Sequence, residues 1–186
     1  MRSTALALAS LALCNMAHAD PVVSQTIDHY DVTGTTPQAV RQSLLQRGPA
    51  DASGARHDSV THWRVEWRLR MRNDPKGCAI ETVTTTATST ILMPRLVDAG
   101  APDDLRKAFD VYLGHLLDHE KGHAENGVST ARQIEVELMR TPPGDCKEVG
   151  QAARAEAQAL IEQARQRDIA YDAETRHGAT QGARFP

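Results

Sequence analysis

Between positions 105 and 123, Leu105, Phe109, Tyr112, Leu116, His119 and His123 follow one another at spacings of four, three, four, three and four. That period marks one face of an α-helix, and a stripe this long must be covered by another layer of structure. It begins apolar and ends on two imidazoles. A buried polar group left without a partner costs about 1–3 kcal/mol, so any fold that covers the stripe must also bring something to both histidines. A solvated helix face carrying incidental histidines is the plainer alternative. The helix opens at Ala101-Pro102-Asp103-Asp104, where the positive end of the helix dipole favours the two acids. Gly127 is expected to end or bend it, residues 128–140 are helical again, and Thr141-Pro142-Pro143-Gly144-Asp145 breaks the pattern.

Around this helix the sequence predicts an α+β arrangement. A short segment at 27–32 leads to Gly34-Thr35-Thr36-Pro37, a turn into a helix with Thr36 as N-cap and Pro37 at the first helical position; Val40, Leu44 and Leu45 mark its face. Gly48-Pro49 ends that helix and 51–59 reads as a loop. In 60–71, Trp63, Val65, Trp67, Leu69 and Met71 alternate with Arg64, Glu66, Arg68 and Arg70, the period of a half-buried strand. Both tryptophans are assigned to core packing. A turn at 73–77 joins this strand to a second, antiparallel one at 78–93, closed by Pro94. Residues 147–169 form a further helix, 171–178 are dense in chemically active side chains, and the tail 179–186 is expected to fray.

Residues 1–19 read as an export signal rather than as part of the fold. Arg2 is followed by a short apolar run and then by Ala17-His18-Ala19, which suits cleavage near Ala19/Asp20. The run is far shorter than the roughly 20 residues that span a bilayer. The expected location is therefore periplasmic or secreted, with no membrane span. Cleavage removes Cys14 and Arg2, so 186 less 19 leaves 167 residues in a single domain, 20–186, and the formal charge moves from −3 to −4. Interspersed charges of that sign do not attract nucleic acid. In an oxidising compartment the two remaining thiols, Cys78 and Cys146, are most simply paired, closing a large loop with a chain-entropy stabilisation of about 4 kcal/mol.

The two histidines of the stripe belong to His119-Glu120-Lys121-Gly122-His123, an HExxH segment. Positions i and i+4 of a helix stand about 6 Å apart along the axis on one face, so both imidazoles can reach a single Zn2+ ion. Glu120, rotated to the adjacent side, is the candidate general base, able to take a proton from a water activated by the ion. A catalytic zinc site needs a third protein ligand and an open position. The metzincin pattern is excluded, because Asn126 and Ser129 stand where it requires glycine and histidine. Glu135, Glu137, Glu148, Glu156 and Asp172 are available as third ligands. The preferred one is His177, just past the last helix beside Gly178. Tyr171 can donate to a developing oxyanion or can cap the core.

Tyr30-Asp31-Val32-Thr33-Gly34, Thr61-His62-Trp63, His119 to His123, and Tyr171-Asp172 through Thr175 to His177-Gly178 together resemble a bacterial family of predicted secreted zinc-dependent proteases, the domain of unknown function 922 family. The resemblance spans nearly the whole mature chain. It implies a zincin-like fold, a small antiparallel sheet packed on the HExxH helix and further helices, with His119 and His123 as metal ligands and Glu120 as catalytic residue. The leading functional expectation is a zinc metallopeptidase acting on a peptide or protein substrate. A non-catalytic zincin-fold envelope protein that binds zinc and a protein partner is the alternative, and a metal sensor or zinc chaperone the third.

Overall fold

The alternation that begins at Trp63 folds as one edge of a three-stranded sheet. The computed structural model describes residues 20–186; the expected export signal, with Arg2, Cys14 and the cleavage site at Ala19, lies outside the described residues. Strands β1 (Val22–Val32), β2 (Val60–Asp74) and β3 (Gly77–Leu96) are ordered β1-β3-β2, and helices α1 (Pro37–Arg47), α2 (Asp103–Leu138) and α3 (Cys146–Thr175) are followed by a 3-10 turn, Ala179–Gln181. The architecture is α+β.

The expected hairpin forms, with Asp74 paired to Gly77 across a two-residue turn and Val60 opposite Leu92. The sheet is nevertheless mixed and not antiparallel throughout, because β1 runs parallel to β3, from Val22 opposite Thr86 to Val32 opposite Leu96. That direction is set by the crossover through α1 and β2, which no local residue pattern around 27–32 encodes. β3 also continues through Pro94, paired with Tyr30, to Leu96. Beyond Leu92 only β1 flanks it, so a residue without an N–H is tolerated there.

Each helix departs from its expected bounds in an explicable way. In α1, Thr36 accepts from the Ala39 amide with Pro37 inside the first turn, as the sequence indicates, but Leu45 is 56% exposed while Val40 and Leu44 are fully buried. Helix α2 runs unbroken through Gly127. The glycine does not end it; it admits the Trp63 ring, whose Cγ would lie 3.0 Å from any Cβ placed there. Helix α3 continues past Ile169 to Thr175, so Tyr171 and Asp172 are helical. Nor is the tail frayed: Phe185 is buried, edge-on to Phe109 at 5.2 Å.

Two apolar clusters meet along α2. One joins Val32, Val40, Leu44 and Ile91 to Leu105, Phe109, Tyr112 and Leu116; the other joins Val65, Val83 and Ala87 to Val128, Ile134, Leu138 and the Val149, Ala153, Ala157 and Leu160 face of α3. Complete burial of a side chain such as Phe109 or Ile134 contributes about 1.5–3 kcal/mol. His119 and His123 fall between the clusters, so the packing on either side holds their backbone rigidly.

Cys78 and Cys146 are bonded, tying the start of β3 to the first residue of α3. Reciprocal backbone hydrogen bonds between Cys78 and Gly144 and an Asp145 cap on the Lys147 and Glu148 amides anchor the same corner. The double variant Cys78→Ser/Cys146→Ser is expected to lose about 2–4 kcal/mol of stability in urea unfolding, with the wild type falling to the same value in reductant.

At the opposite end of the hairpin, Asp58 takes a bidentate pair from Arg41, the Tyr112 hydroxyl at 2.6 Å, and, through its carbonyl, the Tyr30 hydroxyl at 2.7 Å. Burial, and then the Asp58 charge, pushes the pKa of both phenols far up. A folded-state pKa above the unfolded value contributes stability that is fully present below about pH 10 and is lost as pH rises beyond it. Wild-type stability should therefore decline above about pH 10, and Tyr30→Phe should decline less steeply in parallel denaturant titrations.

Candidate metal centre

Helix α2 presents His119 and His123 one turn apart, and α3 presents Asp168 and Asp172 one turn apart facing them. His119 Nε2 and His123 Nε2 each lie 3.1 Å from Asp172 Oδ1. Among the described residues these three side chains form the one group whose ligand atoms fall within 4.8 Å of one another with the composition to hold a metal ion. Three donors bound tetrahedrally at 2.0–2.2 Å stand about 3.3 Å apart, close to the separations found here.

The other ring nitrogens are engaged as a metal site requires. His123 Nδ1 meets Asp168 Oδ1 at 2.9 Å and His119 Nδ1 meets Gln181 Oε1 at 3.0 Å. Acceptors on Nδ1 leave Nε2 of both rings directed at the shared centre, the arrangement by which outer partners orient ligating histidines. Asp168 is itself held: Trp63 Nε1 donates to Oδ2 at 2.6 Å and Asn126 Nδ2 to Oδ1 at 2.8 Å. Asn126, which breaks the metzincin pattern, here supports the partner of His123.

Electrostatics favour a cation at this point. Burial opposes charge on His123, but the hydrogen bonds and charges of Asp168 and Asp172 outweigh it and push its pKa up to about 10. Burial likewise opposes charge on Asp172, yet hydrogen bonds from His119 and His123 and the charges of His123 and His177 hold its carboxyl well below the usual range. A proton or a divalent ion satisfies the same field.

Glu120 is buried beside the group, as the helical turn requires, with Ser59 Oγ donating to Oε1 and Thr61 Oγ1 to Oε2 at 2.6 Å. β2 thus begins by clamping the glutamate. Tyr171 stacks on the His119 ring, with centroids 5.0 Å apart and planes 13° off parallel, and stands edge-on to His123. Its hydroxyl donates to the His119 carbonyl at 3.4 Å and accepts from Gln181 at 3.0 Å. Gly122 makes this possible, since a Cβ there would lie 2.4 Å from the Tyr171 oxygen.

His177 lies beside the group and not among its three convergent atoms: Nδ1 is 3.4 Å from Asp172 Oδ1, the side chain is 60% exposed, and the ring is 5.0 Å from that of His57. Glu135 is on the far side, accepting from the Thr85 amide and hydroxyl. Asp168, Gln181 and Ser59 carry no motif, and Thr61 stands out only through the Thr61-His62-Trp63 stretch of the family resemblance. Otherwise only the i,i+4 spacing of Asp168 and Asp172, matching that of the histidines, offers a sequence signal. Gly122→Ala should displace Tyr171 and cost about 1–3 kcal/mol, visible as a lower thermal midpoint and a changed near-ultraviolet tyrosine signal.

A family model described as "Bacterial protein of unknown function (DUF922)" matches residues 27–178. No curated protein and no solved structure matches the chain. The match runs from β1 through both helices of the metal group to Gly178 and takes in the HExxH segment, Asp168 and Asp172, so the chain belongs to the bacterial DUF922 family.

Proposed function

We propose that the protein is an exported zinc-dependent peptidase of zincin-like fold that hydrolyses peptide bonds in the cavity above His119, His123 and Asp172. The observation that carries this reading is the convergence of two Nε2 atoms and one carboxylate oxygen beside the buried Glu120. We place Asp172 in the third ligand position, ahead of His177, because its oxygen meets both histidines. The histidine-rich donor set with one carboxylate suits zinc. Export is supported by the disulfide, which persists in oxidising compartments. Among the described residues no helix is long and apolar enough to cross a membrane.

A zinc ion held there supplies Lewis acidity, lowering the pKa of a water to about 7 and polarising a carbonyl. The chain's own groups do the rest. Glu120 accepts the proton from the attacking water and returns it to the leaving amine. Ser59 and Thr61 hold its two oxygens in one orientation, so little rearrangement is needed when the proton arrives. Asp168 and Gln181 keep the imidazoles aimed. β2 is an edge strand whose first residues, Val60 and Thr61, line the cavity, which offers an extended substrate a backbone to pair with.

One observation favours a non-catalytic reading, in which the group holds metal and the protein binds a partner: both Glu120 oxygens already accept hydroxyl hydrogen bonds. Glu120→Gln separates the two. As a peptidase, the variant should keep stoichiometric zinc and lose peptide hydrolysis by about a thousandfold or more; a wild type that binds zinc and cleaves nothing in a broad peptide library sinks the peptidase reading. The ligand assignment has its own test. Asp172→Ala should weaken zinc binding far more than His177→Ala in chelator competition, and the reverse order would return His177 to the metal. Asp168→Asn should weaken it about 10–100-fold.

A further inference from the structure

The cavity over the metal group encloses ≈ 770 Å3, room for a stretch of peptide. Its charges are unevenly committed. On the floor, Asp58 is taken by Arg41 and Tyr112, Glu120 by Ser59 and Thr61, Asp168 by His123, Trp63 and Asn126, and Asp172 by the two histidines. Asp51, at the mouth, is taken by His57 and by the amides of its own turn. No carboxylate lining the cavity is left over to receive a basic substrate group.

The cations are placed the other way. Arg56, in the loop before β2, and Arg176, the left-handed cap of α3, both line the cavity and are both exposed. Neither pairs with an acid among the described residues; Arg56 reaches the Gly48 carbonyl, and the Arg176 guanidinium makes no hydrogen bond among the described residues. The two loops meet where the His57 and His177 rings lie 5.0 Å apart, so the segments that carry the two arginines form one lip of the cavity. Arg176 and His177 both hold φ at 51°, a conformation costly for residues other than glycine, which ends the helix, and both line the cavity.

We propose that this lip selects substrates bearing a free carboxylate near the bond to be cut, from an acidic side chain or from a peptide C-terminus. A guanidinium binds such a group through two parallel hydrogen bonds, and Arg56 and Arg176 are the lining guanidinium groups that no acid among the described residues already takes. The inference rests on the peptidase reading of the same site.

The test uses the zinc-loaded Glu120→Gln protein, which leaves the probe intact, and three peptides: acetyl-Ala-Glu-Ala-amide, acetyl-Ala-Gln-Ala-amide and acetyl-Ala-Gln-Ala with a free C-terminus. In calorimetric or NMR titrations, one or both carboxylate peptides should bind about tenfold tighter than the neutral one, and which of them does identifies the source of the carboxylate. The preference should shrink with added salt, fall in Arg56→Gln and in Arg176→Gln, and vanish in the double variant. Equal affinities, no binding of any peptide, or a preference that survives the double variant would overturn the proposal. The two readings fail separately: a wild type that cleaves nothing while the preference persists removes the peptidase, and cleavage without charge preference, in kcat/KM as in binding, removes the lip.

Discussion

Two buried histidines on α2 met by two aspartates on α3 form the contact around which this molecule is arranged. Each pair repeats at one helical turn, so the two helices meet over matching positions along their length. Taken singly, the imidazoles would be costly to bury and the carboxylates would remain in water. Together they make a point of negative field that could hold a cation. The apolar clusters on either side pack α2 against the sheet and α3 and prevent it from sliding against its partners.

The remaining elements explain themselves by what they supply to that contact. The disulfide and the Asp145 cap hold the start of α3, so the helix leaves the hairpin in a fixed direction toward His123 and His119. The Arg41, Tyr112 and Tyr30 bonds around Asp58 hold the entry to β2, where Ser59 and Thr61 clamp Glu120. Trp63, placed in the core by its alternation on β2, does pack there, yet its indole nitrogen also fastens Asp168. Glycines at 122 and 127 let Tyr171 and Trp63 approach the helix that carries the site.

This explains why some residues were legible in the sequence and others were not. His119, Glu120 and His123 announce themselves because their spacing is a property of one helix. The Thr36 and Pro37 cap, the hairpin and the disulfide were equally readable, each depending on neighbours or on a simple pairing. Leu45, Gly127 and the tail depart from expectation because exposure, helix continuity and order depend on what packs against them, which in each case comes from elsewhere in the chain. Asp168 and Gln181 sit 45 and 62 residues from the histidines they hold, with no pattern connecting them.

The amino-acid sequence by itself determined the helical stripe, the HExxH segment, the two-stranded hairpin and the Cys78–Cys146 pair, because periodicity and short-range chemistry operate within single elements. Only the tertiary structure decided that β1 runs parallel, that α3 reaches Thr175, and that Asp172 converges on both histidines while His177 joins Arg56, His57 and Arg176 at the mouth. Those outcomes depend on how two helices and a sheet pack in three dimensions, where contacts distant in the chain compete for the same buried point.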